Sequence, residues 1–408
     1  ITSDGWISCA NDTYMSLTVT LITSAWKLVT LSVDCSNSEG TTTCDALAAG
    51  IKAAVAKHGL TGKVTVVTTH CEPSMVKMGR LLEEGDVCTH IGCCNHRLES
   101  TTSIVFNRPG IKKVMALACG LVTRYSASSQ AADRLKQFVK TYLGVENKRV
   151  IQDVATRWLS TCSMITLLLE LKVEIGKHEA ADKLDPLLSA ADWTVLELIL
   201  PILEPFRHTQ TLVEGCKYVT GSFVIPFILR NSLEDAIDDL NELSPSSDTD
   251  GNRWQPRGFK HVKVLATALD PRTKKLYGVE EKEKADVWKL VQKEAVTITV
   301  ENRNEEKSTT SRKHRRRGGG GFMAAAQAVG DAPTQQLGEG ADSFTTSLIT
   351  NSVWQVRCTD FPHLANLAPR VLAIPATQAE SERLFSCAGN ILTKNRNNLA
   401  PTTVELLV

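Results

Sequence analysis

The sequence predicts an α/β sheet domain, followed by a mostly helical region and closed by a further helical segment. Three observations predict it. The first 85 residues read strand, strand, helix, strand, helix, which is the signature of a sheet covered by helices. From about residue 110 to 300 the apolar residues recur at helical spacing. After a charged, glycine-rich break, residues 346–408 regain ordered composition and end in an amphipathic helical pattern.

Residues 1–35 read as strands. Tyr14 to Ile22 alternates polar and apolar residues, as a strand with one buried face does. Trp26 to Val33 repeats the pattern after a Thr-Ser-Ala turn, which predicts an antiparallel hairpin. Leu47, Ile51 and Val55 then fall on one face of a helix over 43–58. Val64 to Thr69 is a short β-branched strand, buried by its composition. Pro73 and Ser74 open a helix carrying Met75, Met78, Leu81 and Leu82, with proline at the start where its missing N–H costs nothing. In the helical region Leu167–Leu171, Trp193–Leu203 and Phe223–Leu240 are rich in apolar residues, and Pro201, Pro205 and Pro226 are expected to end or kink helices. The run 301–345 carries Glu301 to Lys307, the basic stretch Arg312 to Arg317 and Gly318 to Gly321, which reads as a flexible basic linker. The expected organisation is 1–160 as the first part of the sheet core, 161–300 as a helical insertion, 301–345 as linker and 346–408 as a closing region.

Composition bounds the function. With 408 residues, 42% hydrophobic and 22% charged, the chain can bury a sizeable core in two or three structural units. A net charge of +1 argues neither for nor against nucleic acid, because a basic face can hide in a neutral total. The 12 cysteines are irregularly spaced and no secretory signal opens the chain, which points to reduced thiols in cytosol or nucleus. No apolar run reaches membrane-spanning length, so no membrane partner is expected. The chain starts without Met and close to a strand, as a fragment would.

The closing region holds the most specific pattern. Trp354, Phe361-Pro362-His363-Leu364, Ile374-Pro375-Ala376-Thr377, Ser381-Glu382-Arg383-Leu384-Phe385-Ser386, Ala388-Gly389-Asn390 and Arg396-Asn397-Asn398-Leu399 follow in order. This resembles the C-terminal dimerisation region of hAT-family transposases. Asp4-Gly5-Trp6, Cys93-Cys94-Asn95-His96, Arg157-Trp158-Leu159-Ser160-Thr161 and Leu269-Asp270-Pro271-Arg272 resemble further blocks of the same family, in the same order. The likeness is greatest to its animal branch of BED-finger, transposon-derived proteins. It implies an RNase H-like mixed sheet interrupted by a large helical insertion, a homodimer or higher oligomer of the chain with itself, and work in the nucleus, with DNA as a further partner. The family's BED-type zinc finger is absent here.

The resemblance also implies a catalytic set. Enzymes of this kind hold two Mg²⁺ ions with three carboxylates, hard oxygen ligands that suit a hard cation. Asp4 matches the first carboxylate and Glu382 the third. The blander readings are a solvated Asp before a Gly turn, just ahead of the first strand, and a helix-surface Glu paired with a nearby Arg. The second carboxylate should end the strand after Thr68-Thr69, and that position is His70. A neutral imidazole brings no negative charge and is softer than Mg²⁺ prefers. Glu72 lies past the strand end, a poor substitute. The expected function is therefore a transposon-derived dimerising protein that has lost catalysis and needs no cofactor. The alternatives are an active transposase using Mg²⁺, or a domesticated DNA-binding regulator.

Cys71, Cys88, His90, Cys93, Cys94 and His96 suggest zinc, but their spacing fits no paired C-x-x-C and H-x-x-H frame. Cys93, His96 and Trp158 are read instead as pocket structure. No P-loop or nucleophile elbow is present in the sequence. Asp270, before Pro271, is read as a turn residue rather than a catalytic acid. The basic stretch Arg312 to Arg317 fits a nuclear-import signal, a DNA-backbone contact or a solvated linker equally. Leu384, Phe385, Ile391, Leu392, Leu399 and Leu406 are the apolar candidates for burying a second copy, against the role of closing the chain's own core.

Overall fold

Alternating and β-branched residues at the start of the chain build the expected sheet. The computed structural model describes residues 1–9, 11–37, 43–145, 148–154, 158–224, 261–276, 281–309, 353–391 and Thr403. These form two compact units, one of 1–96, 211–230 and 255–408, the other of 97–210 and 231–254.

The first unit holds five strands: β1 (Thr2–Ile7), β2 (Thr13–Ile22), β3 (Leu28–Asn37), β4 (Val66–Thr69) and β5 (Thr89–Gly92). Their order is β3-β2-β1-β4-β5. β2 pairs antiparallel with β1 and β3, while β4 runs parallel to both β1 and β5. The sheet is therefore mixed, with β2 opposed to the other four strands. Two elements differ from the sequence reading. Thr2–Ile7 is itself a strand, so Asp4 lies inside β1 rather than ahead of the first strand. β5 has no strand signal of its own, and it forms because its backbone completes the ladder on β4.

Helix α1 (Cys44–Lys57) starts where Thr43 accepts a hydrogen bond from the Ala46 N–H at 3.3 Å. It buries Ala48, Ile51 and Val55, the predicted face with Leu47 at its edge. Helix α2 (Pro73–Glu84) begins with Pro73 in its first turn and buries Met75, Met78 and Leu82. Both helices pack with Leu17, Val19 and Val67, which covers one face of the sheet. The opposite face is covered too. Tyr14, Ser16 and Thr18 of β2 are fully or almost fully buried beneath a later helix, so β2 has two buried faces where alternation predicted one.

A second core of this unit gathers α9 (His261–Leu269), α10 (Glu281–Thr309) and α11 (Pro362–Leu372) around Trp26 and Trp354, whose rings stack at 5.7 Å. α10 runs to Thr309, so the stretch composition read as linker begins in a helix. The Leu-Asp-Pro-Arg block is a turn, as expected, and also a buried anchor. Asp270 is fully buried and pairs with Arg272 at 2.5 Å. Its carboxylate accepts the Ser222 hydroxyl at 2.6 Å. The Arg272 guanidinium donates to the Val219 carbonyl at 2.9 Å and lies 4.3 Å from the Phe223 ring centre. The last described long helix, α12 (Ala379–Ile391), packs on β1 and β2.

The second unit is helical. It contains most of α3 (Cys94–Phe106), all of α4 (Pro109–Ala127), α5 (Ser129–Leu143), α6 (Trp158–Glu170) and α7 (Lys172–Ala181), and most of α8 (Ala190–Val213). It starts at 97, earlier than the 161 read from sequence, and residues 261–309 belong with the sheet unit instead. α8 continues through Pro201 and Pro205, which were expected to end or kink it. α4 buries Ile111, Val114, Met115, Ala118, Leu121, Val122 and Tyr125, one continuous helical face. Tyr125 bonds His178 Nδ1 at 3.0 Å, His178 Nε2 lies 3.3 Å from Asp182, and Arg124 pairs with Glu179 at 2.9 Å. These contacts clip α7 to α4. Pro226, Arg157 and the basic stretch 312–317 lie outside the described residues.

Candidate functional site

Strand alternation decides which residues can meet. Thr2, Asp4 and Trp6 of β1 stand opposite Thr18, Ser16 and Tyr14 of β2. They therefore share the face covered by α12. Thr2 of β1 pairs with Thr68 of β4. Asp4 lies two residues beyond Thr2 in β1, and His70 directly follows the last residue of β4. Ser381 bonds the Thr2 hydroxyl at 3.0 Å and so ties the first turn of α12 to β1. This brings Glu382 within electrostatic reach of Asp4 although they are far apart in sequence. Glu382 and Glu72 both act on Asp4, and Glu72 also lies 3.9 Å from His70 Nδ1.

The site is poorly solvated for charge. Burial is the main cause that pushes the Asp4 carboxyl up to about 7, and the nearby Glu382 and Glu72 push in the same direction. Gly5 N–H at 2.9 Å and the Gln378 amide oppose the shift without cancelling it. Burial also lowers the pKa of His70, against the pull of Glu72. His96 is lowered to about 4, first by burial and then by His70. The His70 and His96 ring centres are 3.4 Å apart, tilted by 58°. Burial thus favours the neutral form of both imidazoles.

Cys93 lies at the end of β5, where its N–H donates to the Thr69 carbonyl at 2.8 Å. Burial pushes its thiol up to about 12, so it is an inert packing group and not a nucleophile. Cys94 N–H donates to the Ala376 carbonyl at 3.0 Å, joining the Cys-x-x-His block to the Ile-Pro-Ala-Thr block. Asn95 donates to Glu214 at 2.6 Å. The structure therefore brings His96 and Cys93 to the His70 side of the site. Trp158 opens α6 in the helical unit and is buried there. The remaining cysteine and histidine candidates scatter: Cys88 packs in the α1–α2 core, and His90 Nε2 bonds the Thr69 hydroxyl at 2.8 Å. Among the described residues no group of three or more His, Cys, Asp or Glu is arranged to hold a metal ion.

The dimerisation candidates divide. Phe385 is buried against Tyr14 and Cys35 and stacks on Trp6 at 5.7 Å, so it closes the chain's own core rather than facing a second copy. Leu384 packs beside this cluster, half-buried, and Ile391 is half-buried at the end of α12. Leu392, Leu399 and Leu406 lie outside the described residues. Arg383 pairs with Glu380 at 2.5 Å and donates to the Glu214 carbonyl at 2.7 Å. Sequence reading missed Gln378. It is buried just ahead of α12, and its side chain counters part of the upward shift that burial imposes on Asp4. Its only signal was its place between the Ile-Pro-Ala-Thr and Ser-Glu-Arg blocks.

Two family models match the chain: the hAT family C-terminal dimerisation region over residues 348–408, and the ZBED1 RNase-like helical domain over residues 91–202. Zinc finger BED domain-containing protein 4 of Homo sapiens is 23% identical over 331 residues, covering 76% of this chain and 28% of that protein. A Zea mays protein named "Putative AC transposase" is 22% identical over 455 aligned positions, covering 100% of this chain and 55% of that protein. A Talaromyces stipitatus protein named "Putative transcriptional regulator tpeD" is 24% identical over 273 residues, covering 63% of this chain and 31% of that protein. The chain thus spans from 28% to 55% of the length of these relatives. Among the described residues no helix is long and apolar enough to cross a membrane.

Proposed function

The chain is hAT-family transposase-like, and from that premise we propose that it is a transposon-derived protein that self-associates and no longer cuts DNA. The observation that carries the reading is the match of residues 348–408 to the hAT dimerisation region. The arrangement of the strands, with β2 opposed to the other four and Asp4 on the central strand beneath α12, supports an RNase H-like core. His70 at the second carboxylate position supports the loss of catalysis, since a neutral ring cannot replace the charge of a carboxylate between two cations. The names of the relatives support DNA as a partner and the nucleus as the place of work.

A second reading keeps the chemistry, with Glu72 standing in for the missing carboxylate. Its approach to Asp4 favours this reading, and its side-chain exposure of 65% opposes it. The deciding experiment incubates supercoiled DNA with the full chain and Mg²⁺ or Mn²⁺. The proposal expects intact DNA. Nicking that disappears in Glu72→Ala would establish the second reading.

A further inference from the structure

We infer that His70, braced by His96, closes this site to divalent cations, and that a single carboxylate at position 70 opens it again. The inference rests on the non-cutting reading above and states its cause at one residue.

The bonding of the His70 ring comes first. Its Nδ1 receives the Glu72 backbone N–H at 3.2 Å. A neutral imidazole that accepts at Nδ1 carries its proton on Nε2. One nitrogen is thus occupied and the other has no lone pair to offer. Histidines that bind metal show the reverse arrangement, with the nitrogen away from the ion donating its proton to a supporting acceptor. His70 therefore bars hard cations by its lack of charge and borderline cations such as Zn²⁺ by its tautomer.

The second observation is steric. The His96 ring lies 3.4 Å from His70, centre to centre, so a second imidazole takes the space beside it. The rest of the site does not depend on His70. Asp4 is fixed in β1 by its pairing with Ser16, and its carboxylate accepts the Gly5 N–H at 2.9 Å. Glu382 sits one residue past Ser381, which is anchored to Thr2. An Asp or Glu at position 70 would add a carboxylate to a site where Glu382 already acts electrostatically on Asp4, supplying the hard oxygen ligands that Mg²⁺ and Mn²⁺ take.

The test is calorimetric titration of the full chain with Mg²⁺, Mn²⁺ and Zn²⁺ separately, alongside the melting temperature in each ion. Wild type, His70→Asp, His70→Glu and the neutral His70→Asn are compared. The expected result is that wild type and His70→Asn take up none of the three. At least one of the two carboxylate variants binds Mn²⁺ more tightly than wild type by at least about tenfold, and melts higher in its presence. Two results overturn the inference. One is a wild-type chain that binds any of the ions with an affinity lost in His70→Asn. The other is a pair of carboxylate variants, folded as judged by their melting, that gain no binding. A wild-type chain that binds Mn²⁺ and still leaves DNA intact would overturn this inference alone, and nicking by wild type would overturn the reading beneath it.

Discussion

Replacing Asp270 with Ala should destabilise the sheet unit severely. Asp270 is fully buried, and the Arg272 side chain it neutralises is only 5% exposed. Removing one member of such a pair leaves the other charge buried and unmatched, which costs about 3–5 kcal/mol. Loss of the Ser222 hydroxyl bond adds about 1 kcal/mol. The expected loss is therefore about 4–6 kcal/mol, a large share of a domain's stability. Urea unfolding followed by tryptophan emission is a suitable assay, because Trp354 donates its indole N–H to the Leu269 carbonyl beside this turn at 3.0 Å. The double variant Asp270→Leu/Arg272→Met should lose less than Asp270→Ala alone, since it buries no orphan charge. The pH dependence follows the same pair. Burial pushes the Asp270 carboxyl up, but the Arg272 charge and the hydrogen bonds outweigh it and hold the pKa below its ordinary value. A depressed carboxyl stabilises the fold above its unfolded pKa near 4, and that contribution is lost as pH falls through the lower folded value. A loss under about 1 kcal/mol in Asp270→Ala, or strict additivity in the double variant, would refute the reasoning.

Asp4→Asn should stabilise the chain at pH 8 by about 1–2 kcal/mol, less than the roughly 4 kcal/mol that a carboxyl raised to about 7 allows, because the group keeps some solvent contact. The sign follows from a raised pKa: ionising Asp4 costs folding energy above the unfolded pKa, so the gain should shrink as pH falls toward 4, and a gain that ignores pH would contradict it. Gly221→Ala places a Cβ into the backbone carbonyl of Ile374, which cannot move aside, so melting should show a loss of about 1–3 kcal/mol. Phe385→Ala removes a ring stacked on Trp6 and packed on Tyr14, and denaturation should show a loss of about 3 kcal/mol or more. His178→Ala breaks the Tyr125 bond and leaves a cavity among α4, α5 and α7, so amide exchange should accelerate in those three helices before the sheet.

Alternation disclosed β2, helical spacing disclosed α1 and α2, and β-branched composition disclosed β4. β1 was hidden because Asp4-Gly5 reads locally as a turn, and only pairing with β2 and β4 makes it the central strand. β5 was hidden because its two strand formers, Thr89 and Ile91, sit in a run of only four residues beside His90 and Gly92. The prolines of α8 show tertiary context overriding a local rule. The site was legible only through its resemblance to a family. Composition and spacing alone left Asp4 and Glu382 as ordinary surface acids. What sequence could not supply was the shared face that joins them, the His70–His96 contact and the Gln378 amide, all of which depend on strand register and on where α12 docks.

Self-association through the closing region is the central claim, and molar mass by light scattering tests it most directly. Cutting the chain before 346 is unsuitable, because Trp354, Leu364, Leu367 and Phe385 are buried parts of its own core. The better comparison is the full chain beside Leu399→Glu/Leu406→Glu, which alters apolar positions of the matched dimerisation region. The account predicts at least twice 44.5 kDa for the wild-type chain and a return to 44.5 kDa for the variant. A wild-type chain that stays at 44.5 kDa would contradict it.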